Sequence, residues 1–253
     1  KTGTSAIQKF LWENRKLLLE KYGVLYPESG SLNVSIYPYK AHYKIAYCFD
    51  SFGKRKQYFK KEKIFLELFD EIRKNAPKFV VLSCETFSLI KKPYDLYESI
   101  KNLSLEKCYI LLYLRRQDLW IESSYKQVVK TGKSTISFPK KITSLHLEII
   151  DYNKLLMRWC AFLPKENIYI KIFDKKDLYQ NNIITDFCYT LSNILNQRME
   201  LNIELENYNE ANPSLSHIST LAKLKINQHF ALTPKEHWKV SEYLLTLDKE
   251  EGS

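Results

Sequence analysis

Two short, almost unbroken apolar runs, FVVLS at 79–83 and CYILLYL at 108–114, most constrain what this chain can fold into. Runs of this length suit strands covered on both faces, the usual condition of a central parallel strand. Around them the spacing predicts amphipathic helices. Ile7, Phe10, Leu11 and Leu18 share one face of a first helix closed by Gly23, and further helices are expected near 62–75, 93–104, 118–130, 151–163, 181–197, 214–230 and 234–247. VLYP (24–27) and IYIKIF (168–173) add two more strands. Strands alternating with helices predict an α/β chain, a central parallel sheet flanked by helices, with a helical C-terminal part over about 181–250. No repeat, low-complexity block or linker divides residues 1–253, so a single domain is expected.

Composition narrows the class. Hydrophobic content of 45% with 14% aromatic residues excludes a disordered chain. No apolar run approaches the roughly 18 residues of a membrane helix. The five cysteines are scattered without C-x-x-C spacing, which fits free thiols in a reducing compartment better than zinc ligands or disulfides. A formal charge of +10 implies an anionic partner. The lysines are nevertheless dispersed (KKEK, KKPY, FPKK, DKKD), as on a solvated surface, and no nucleic-acid-binding motif appears.

In parallel sheets, ligands bind where strands end and helices begin. Three such junctions carry chemistry-capable residues. The first is Lys1-Thr2-Gly3-Thr4-Ser5-Ala6, ahead of the first helix. Glycine permits a tight turn, the helix start offers amides and a positive dipole end, and lysine adds a mobile charge. It is not a Walker A loop, in which lysine follows the glycines. Thr4 or Ser5 as a simple N-cap is the plainer reading. A strand carrying the loop is expected upstream of Lys1. The second junction is LRRQDLWIESSYKQVVKTG after the strongest strand. Ile121, Tyr125 and Val128 fall on one helical face, so Ser123 is expected to point away from the core and Ser124 to lie nearer the buried stripe. Arg115 and Ser123 are candidates to converge on one anion. The third is SCETF (83–87), which places Glu85 at the end of a central strand, as a proton acceptor or a helix cap.

Together these residues carry a resemblance. KTGTSAIQ followed by Arg115-Arg116-Gln117-Asp118 and Ser123-Ser124-Tyr125-Lys126-Gln127 resembles the PAPS-dependent sulfotransferases, in particular the bacterial carbohydrate-type branch (PAPS is 3′-phosphoadenosine 5′-phosphosulfate). Asn14-Arg15, Tyr26-Pro27, His42, Ser83-Cys84-Glu85 and NPSLS (212–216) fall in the order of that pattern. Many members of the family have R-x-P where this chain has Arg115-Arg116-Gln117.

The resemblance implies a P-loop-NTPase-like three-layer fold. It implies that Lys1, Thr2, Gly3, Thr4, Ser5 and Ala6 bind the 5′-phosphosulfate and that Arg115 and Ser123 bind the 3′-phosphate. It implies in-line sulfuryl transfer to an acceptor hydroxyl, leaving PAP, without a metal ion, with Lys1 stabilising the leaving oxygen. His42 and Glu85 are expected to act together, with the assignment of the base between them open. Family analogy favours a bacterial glycan or glycolipid acceptor, no nucleic-acid partner, and a cytoplasmic location or one at the inner face of the membrane. The rival expectations are a P-loop-like nucleotide kinase and a basic, non-enzymatic nucleic-acid-binding module.

Overall fold

The computed structural model describes residues 3–33, 39–51, 59–103, 106–138, 140, 142–200, 208 and 213–250. In chain order the first elements are α1 (Thr4–Glu13), α2 (Arg15–Tyr22), β1 (Val24–Leu25), β2 (Leu32–Asn33), β3 (Lys40–Ala41), α3 (Tyr43–Tyr47) and α4 (Lys61–Asn75). β4 (Phe79–Val80), α5 (Pro93–Lys101), β5 (Ile110–Leu114), α6 (Gln117–Lys130), α7 (Ser144–Ile149) and α8 (Tyr152–Cys160) follow. β6 (Ile168–Ile172), α9 (Ile183–Leu195), α10 (His217–His229) and α11 (Pro234–Glu250) complete the series. Among the described residues, no helix is long and apolar enough to cross a membrane.

The chain divides into two compact units, one of Thr2–Leu114 with Asp151–Ala211, the other of Arg115–Ile150 with Asn212–Ser253. The first, the sheet unit, holds the six strands found among the described residues. β1 pairs parallel with β4, Val24 opposite Phe79, and β5 pairs parallel with β6 from Ile110 opposite Ile168 to Leu114 opposite Ile172. β2 and β3 form a short antiparallel pair. The chain is therefore mixed α/β as expected. The single continuous sheet is not seen, because the described strands form three separate two-stranded ladders. β1 is short for a local reason. It starts after Gly23, in the left-handed region at φ 65°, and its run ends at Pro27, which has no N–H for a ladder.

Side-chain alternation nevertheless sets the strands between two apolar layers. Phe79, Val81, Leu111 and Tyr113 join a cluster with Phe10 and Leu11 of α1 and Ile184 and Phe187 of α9. Leu82, Ile110, Leu112 and Leu114 join a second cluster with Leu68 of α4, Leu96 of α5 and Trp159 of α8. Successive residues thus face opposite layers, as a pleated strand requires. The first predicted helix is broken at Asn14, whose side chain donates to Phe10 O at 2.9 Å and so competes for the helical carbonyl. The expected helical C-terminal part is split between the units. α9 packs in the sheet unit, while α10 and α11 belong with α6 in the helical unit. All five cysteines are free thiols, Cys48 and Cys84 buried and Cys160 exposed.

A buried carboxylate, not anticipated from the sequence, ties α9 to β5. Asp186 is 1% exposed and accepts from the Tyr113 hydroxyl at 2.8 Å and the Tyr179 amide at 2.9 Å, with Lys171 Nζ at 3.5 Å. Asp186→Asn would turn an amide donor towards one of these donors. It is expected to cost about 1–3 kcal/mol, read as a lower denaturation midpoint at an unchanged slope.

Candidate functional site

α1 begins at Gly3, which occupies the left-handed region at φ 71° and receives the amides of Ala6 at 3.0 Å and Ile7 at 3.2 Å on its carbonyl. A Cβ at this position would lie 2.8 Å from both Phe173 and Ile183. Glycine is thus required by backbone conformation and by close packing together. Neither Thr4 nor Ser5 is the N-cap; both lie inside the first turn, and no side chain caps it. The first amides of a helix lack intrahelical acceptors and sit at the positive end of its dipole. Near it, burial raises the pKa of Tyr39, the Ser5 hydroxyl opposes the shift and Glu85 adds to it. Lys1 and Thr2 lie outside the described residues.

Gln8, one turn further on and 1% exposed, links this helix start to the strand end. Its side-chain amide donates to Ser83 Oγ at 3.5 Å and to Glu85 Oε2 at 3.3 Å, while the Tyr43 hydroxyl donates to Glu85 Oε1. Glu85 opens the short 3₁₀ turn Glu85–Leu89 beyond β4 and is itself exposed. The structure therefore brings the first and third expected junctions together. It leaves a carboxylate oriented by two donors and open to solvent. Sequence reasoning gave no role to Gln8, Tyr39 or Tyr43. Gln8 stood in the quoted KTGTSAIQ and the two tyrosines in the aromatic stretch around His42, so residue type alone was the signal.

His42 is fully buried, edge-on to Tyr26 with ring centroids 4.8 Å apart. Nε2 faces Pro27 O at 3.0 Å, and Nδ1 receives the Ser83 amide at 3.0 Å. A carbonyl can only accept and an amide N–H can only donate, so the ring is the neutral Nε2–H tautomer. Burial agrees, pulling its pKa from 6.5 down to about 4, although the carbonyls of Pro27 and of Ser83, the latter 3.4 Å from Nδ1, oppose the shift. Both nitrogens are engaged with backbone, and Glu85 has the exposure that His42 lacks.

Arg115 and Ser123 belong to the helical unit. Arg115 is partly buried directly after β5, and its neighbour Arg116 is committed to Asp118 through bonds of 2.7 and 2.8 Å. Lys126, at 2.8 Å, holds the Glu122 carboxyl below its usual range, with Arg115 and His217 adding to the effect. The expected orientation of Ser123 is corrected: it is 7% exposed, whereas Ser124 is only partly buried. The helix buries two stripes. Tyr125 and Val129 face Leu224 of α10, while Ser123 shares a second stripe with Lys130, seven positions on, whose carbonyl receives the Ser241 hydroxyl of α11 at 2.8 Å. Of NPSLS, Asn212 lies outside the described residues, and Ser216 caps α10, accepting from the Ser219 amide at 3.0 Å. Among the described residues, no cluster of His, Cys, Asp and Glu is placed to hold a metal ion.

A histidine with a depressed folded pKa binds fewer protons folded than unfolded. Its contribution is complete above pH 6.5 and is lost as pH falls towards about 4. The loss is expected to reach about 3 kcal/mol, with a pH-dependent fall in melting temperature that His42→Gln flattens.

Comparison with known proteins places few limits on the chain. No family model matches it, and no solved structure matches it. An uncharacterized protein of Archaeoglobus fulgidus is 40% identical over 153 residues. The match takes in 60% of this chain but only 40% of that relative, so the chain spans well under half of the relative's length.

Proposed function

We propose that this chain is a PAPS-dependent sulfotransferase of P-loop-like, three-layer fold, acting on a hydroxyl of a glycan or glycolipid. The observation that carries the reading is the Gln8 bridge, which joins an anion-compatible helix start to an oriented, exposed carboxylate. A sulfuryl transferase needs this pair of functions side by side, charge neutralisation for the donor and a proton acceptor for the nucleophile.

The residues present fit such a donor. Gly3 leaves no side chain over the helix start, Thr4 and Ser5 offer hydroxyls, and Ala6 adds an amide to the same turn. Arg115, a planar guanidinium suited to bidentate phosphate binding, and Ser123 fit a 3′-phosphate by chemistry. When bound, PAPS supplies the sulfuryl group and leaves as PAP. Glu85 takes the acceptor's proton as the acceptor O–S bond forms and the bridging O–S bond of the donor breaks, with Lys1 balancing the charge on the leaving oxygen. Gln8 and Tyr43 hold Glu85 in one orientation. His42 is assigned a positioning role, holding Ser83 and hence the approach to Glu85.

Two measurements test the reading. Calorimetry is expected to show tighter binding of PAP than of 5′-AMP by about 10–100-fold, the range of charged hydrogen bonds to one phosphate, and Arg115→Ala should abolish the difference. Equal affinity would overturn the assignment, and preference for ATP with Mg²⁺ would favour a kinase. Glu85→Gln is expected to lower sulfate transfer from labelled PAPS by about 10²–10⁴-fold with PAP affinity retained; full activity would remove Glu85 as the base.

A further inference from the structure

We propose that Lys133, Ile136, Phe138, Lys140 and Leu147, all in the helical unit, dock on an anionic phospholipid membrane. Residues 123–147 contain no Asp or Glu, although the chain carries 29 acidic residues, and they include five lysines. Two of these are committed elsewhere, Lys126 to Glu122 at 2.8 Å and the buried Lys130 to Pro213 O at 2.7 Å. Lys133 and Lys140 are exposed.

The same stretch presents large apolar side chains to water: Ile136 is 47% exposed, Phe138 44% and Leu147 58%. Ile136 and Phe138 are not the tip of a loose loop. The Lys133 amide donates to Val128 O at 2.8 Å, Asn227 donates to Ser134 O at 3.0 Å, and Gln228 to Thr135 O at 2.9 Å. The Tyr125 hydroxyl reaches Ile136 O at 3.3 Å, and its ring lies 5.2 Å from that of Phe138. The backbone is pinned to α6 and α10 while the apolar groups stay in solvent, an arrangement that an apolar partner would relieve.

Charge and apolarity together select the partner. A soluble polyanion would engage the lysines and leave Ile136 and Leu147 wet. An anionic bilayer takes both, the apolar groups at the acyl boundary and the lysines among the headgroups, at about fivefold in partitioning per lysine. This surface lies within the helical unit and does not depend on the nucleotide reading.

The test is co-sedimentation of the full chain with phosphatidylglycerol–phosphatidylcholine vesicles against phosphatidylcholine alone. Binding is expected to the anionic vesicles only and to weaken with added salt. Ile136→Ser/Leu147→Ser and, separately, Lys133→Gln/Lys140→Gln should each weaken it several-fold at an unchanged melting temperature. The lysine variant removes no packing, so its result stands if the apolar variant proves unstable. Absence of binding, equal binding to both vesicles, retention by the lysine variant or by a stably folded apolar variant, or stronger capture by soluble dextran sulfate would each overturn the proposal.

Discussion

The ends of β1 and β4 are tied by one side chain. The His42 ring donates through Nε2 to the carbonyl of Pro27, where the β1 run stops, and accepts through Nδ1 from the amide of Ser83, past β4. These two strands share only two ladder pairs, and the ring adds a side-chain tie at their ends beyond the backbone bonds. An imidazole suits the task because its neutral form offers one donor and one acceptor in a single plane. A charged ring would turn a second donor against the Ser83 amide. Burial lowers the pKa of the ring, and the same buried ring anchors Ser83, from which the chain runs on to Cys84 and Glu85.

The helical unit solves the burial of charge differently. Lys130 and Lys223 are 3% and 0% exposed, and burial draws the pKa of each from 10.5 to about 8. Their named partners are neutral: Pro213 O for Lys130, and Asn227 Oδ1 and His237 Nδ1 for Lys223. The Trp238 ring lies 5.6 Å from the Lys130 ammonium. Gly132, at φ 73°, leaves room for the His237 ring where a Cβ would collide with it, so the end of α6 and the packing of α11 depend on the same glycine.

Much of this architecture was legible from periodicity. The unbroken runs became β4 and β5, Gly23 and Gly132 do sit in left-handed turns, and α4, α6, α8, α9 and α10 lie close to their expected places. What the sequence hid has physical reasons. A helical stripe names one buried face, and α6 has two, so Ser123 went to the wrong side. The Asn14 break depends on a side chain competing for a carbonyl, which leaves no trace in apolar spacing. His42 and Glu85 looked equivalent as bases because residue type does not report burial. Only the fold separates a ring enclosed by backbone from a carboxylate in solvent.

Gln8 has a mechanical consequence. It lies one helical turn from Thr4, so any displacement of the first turn of α1 is carried to its side chain, and from there to Ser83 and Glu85. A ligand at the helix start that favoured one such arrangement would bias the carboxylate, and one that engaged the carboxylate would bias the helix start. Where the two sites differ in affinity between such arrangements, the effect must be equal in both directions. The two halves of the candidate site are thus geared through one amide, so that neither can be altered without the other registering it.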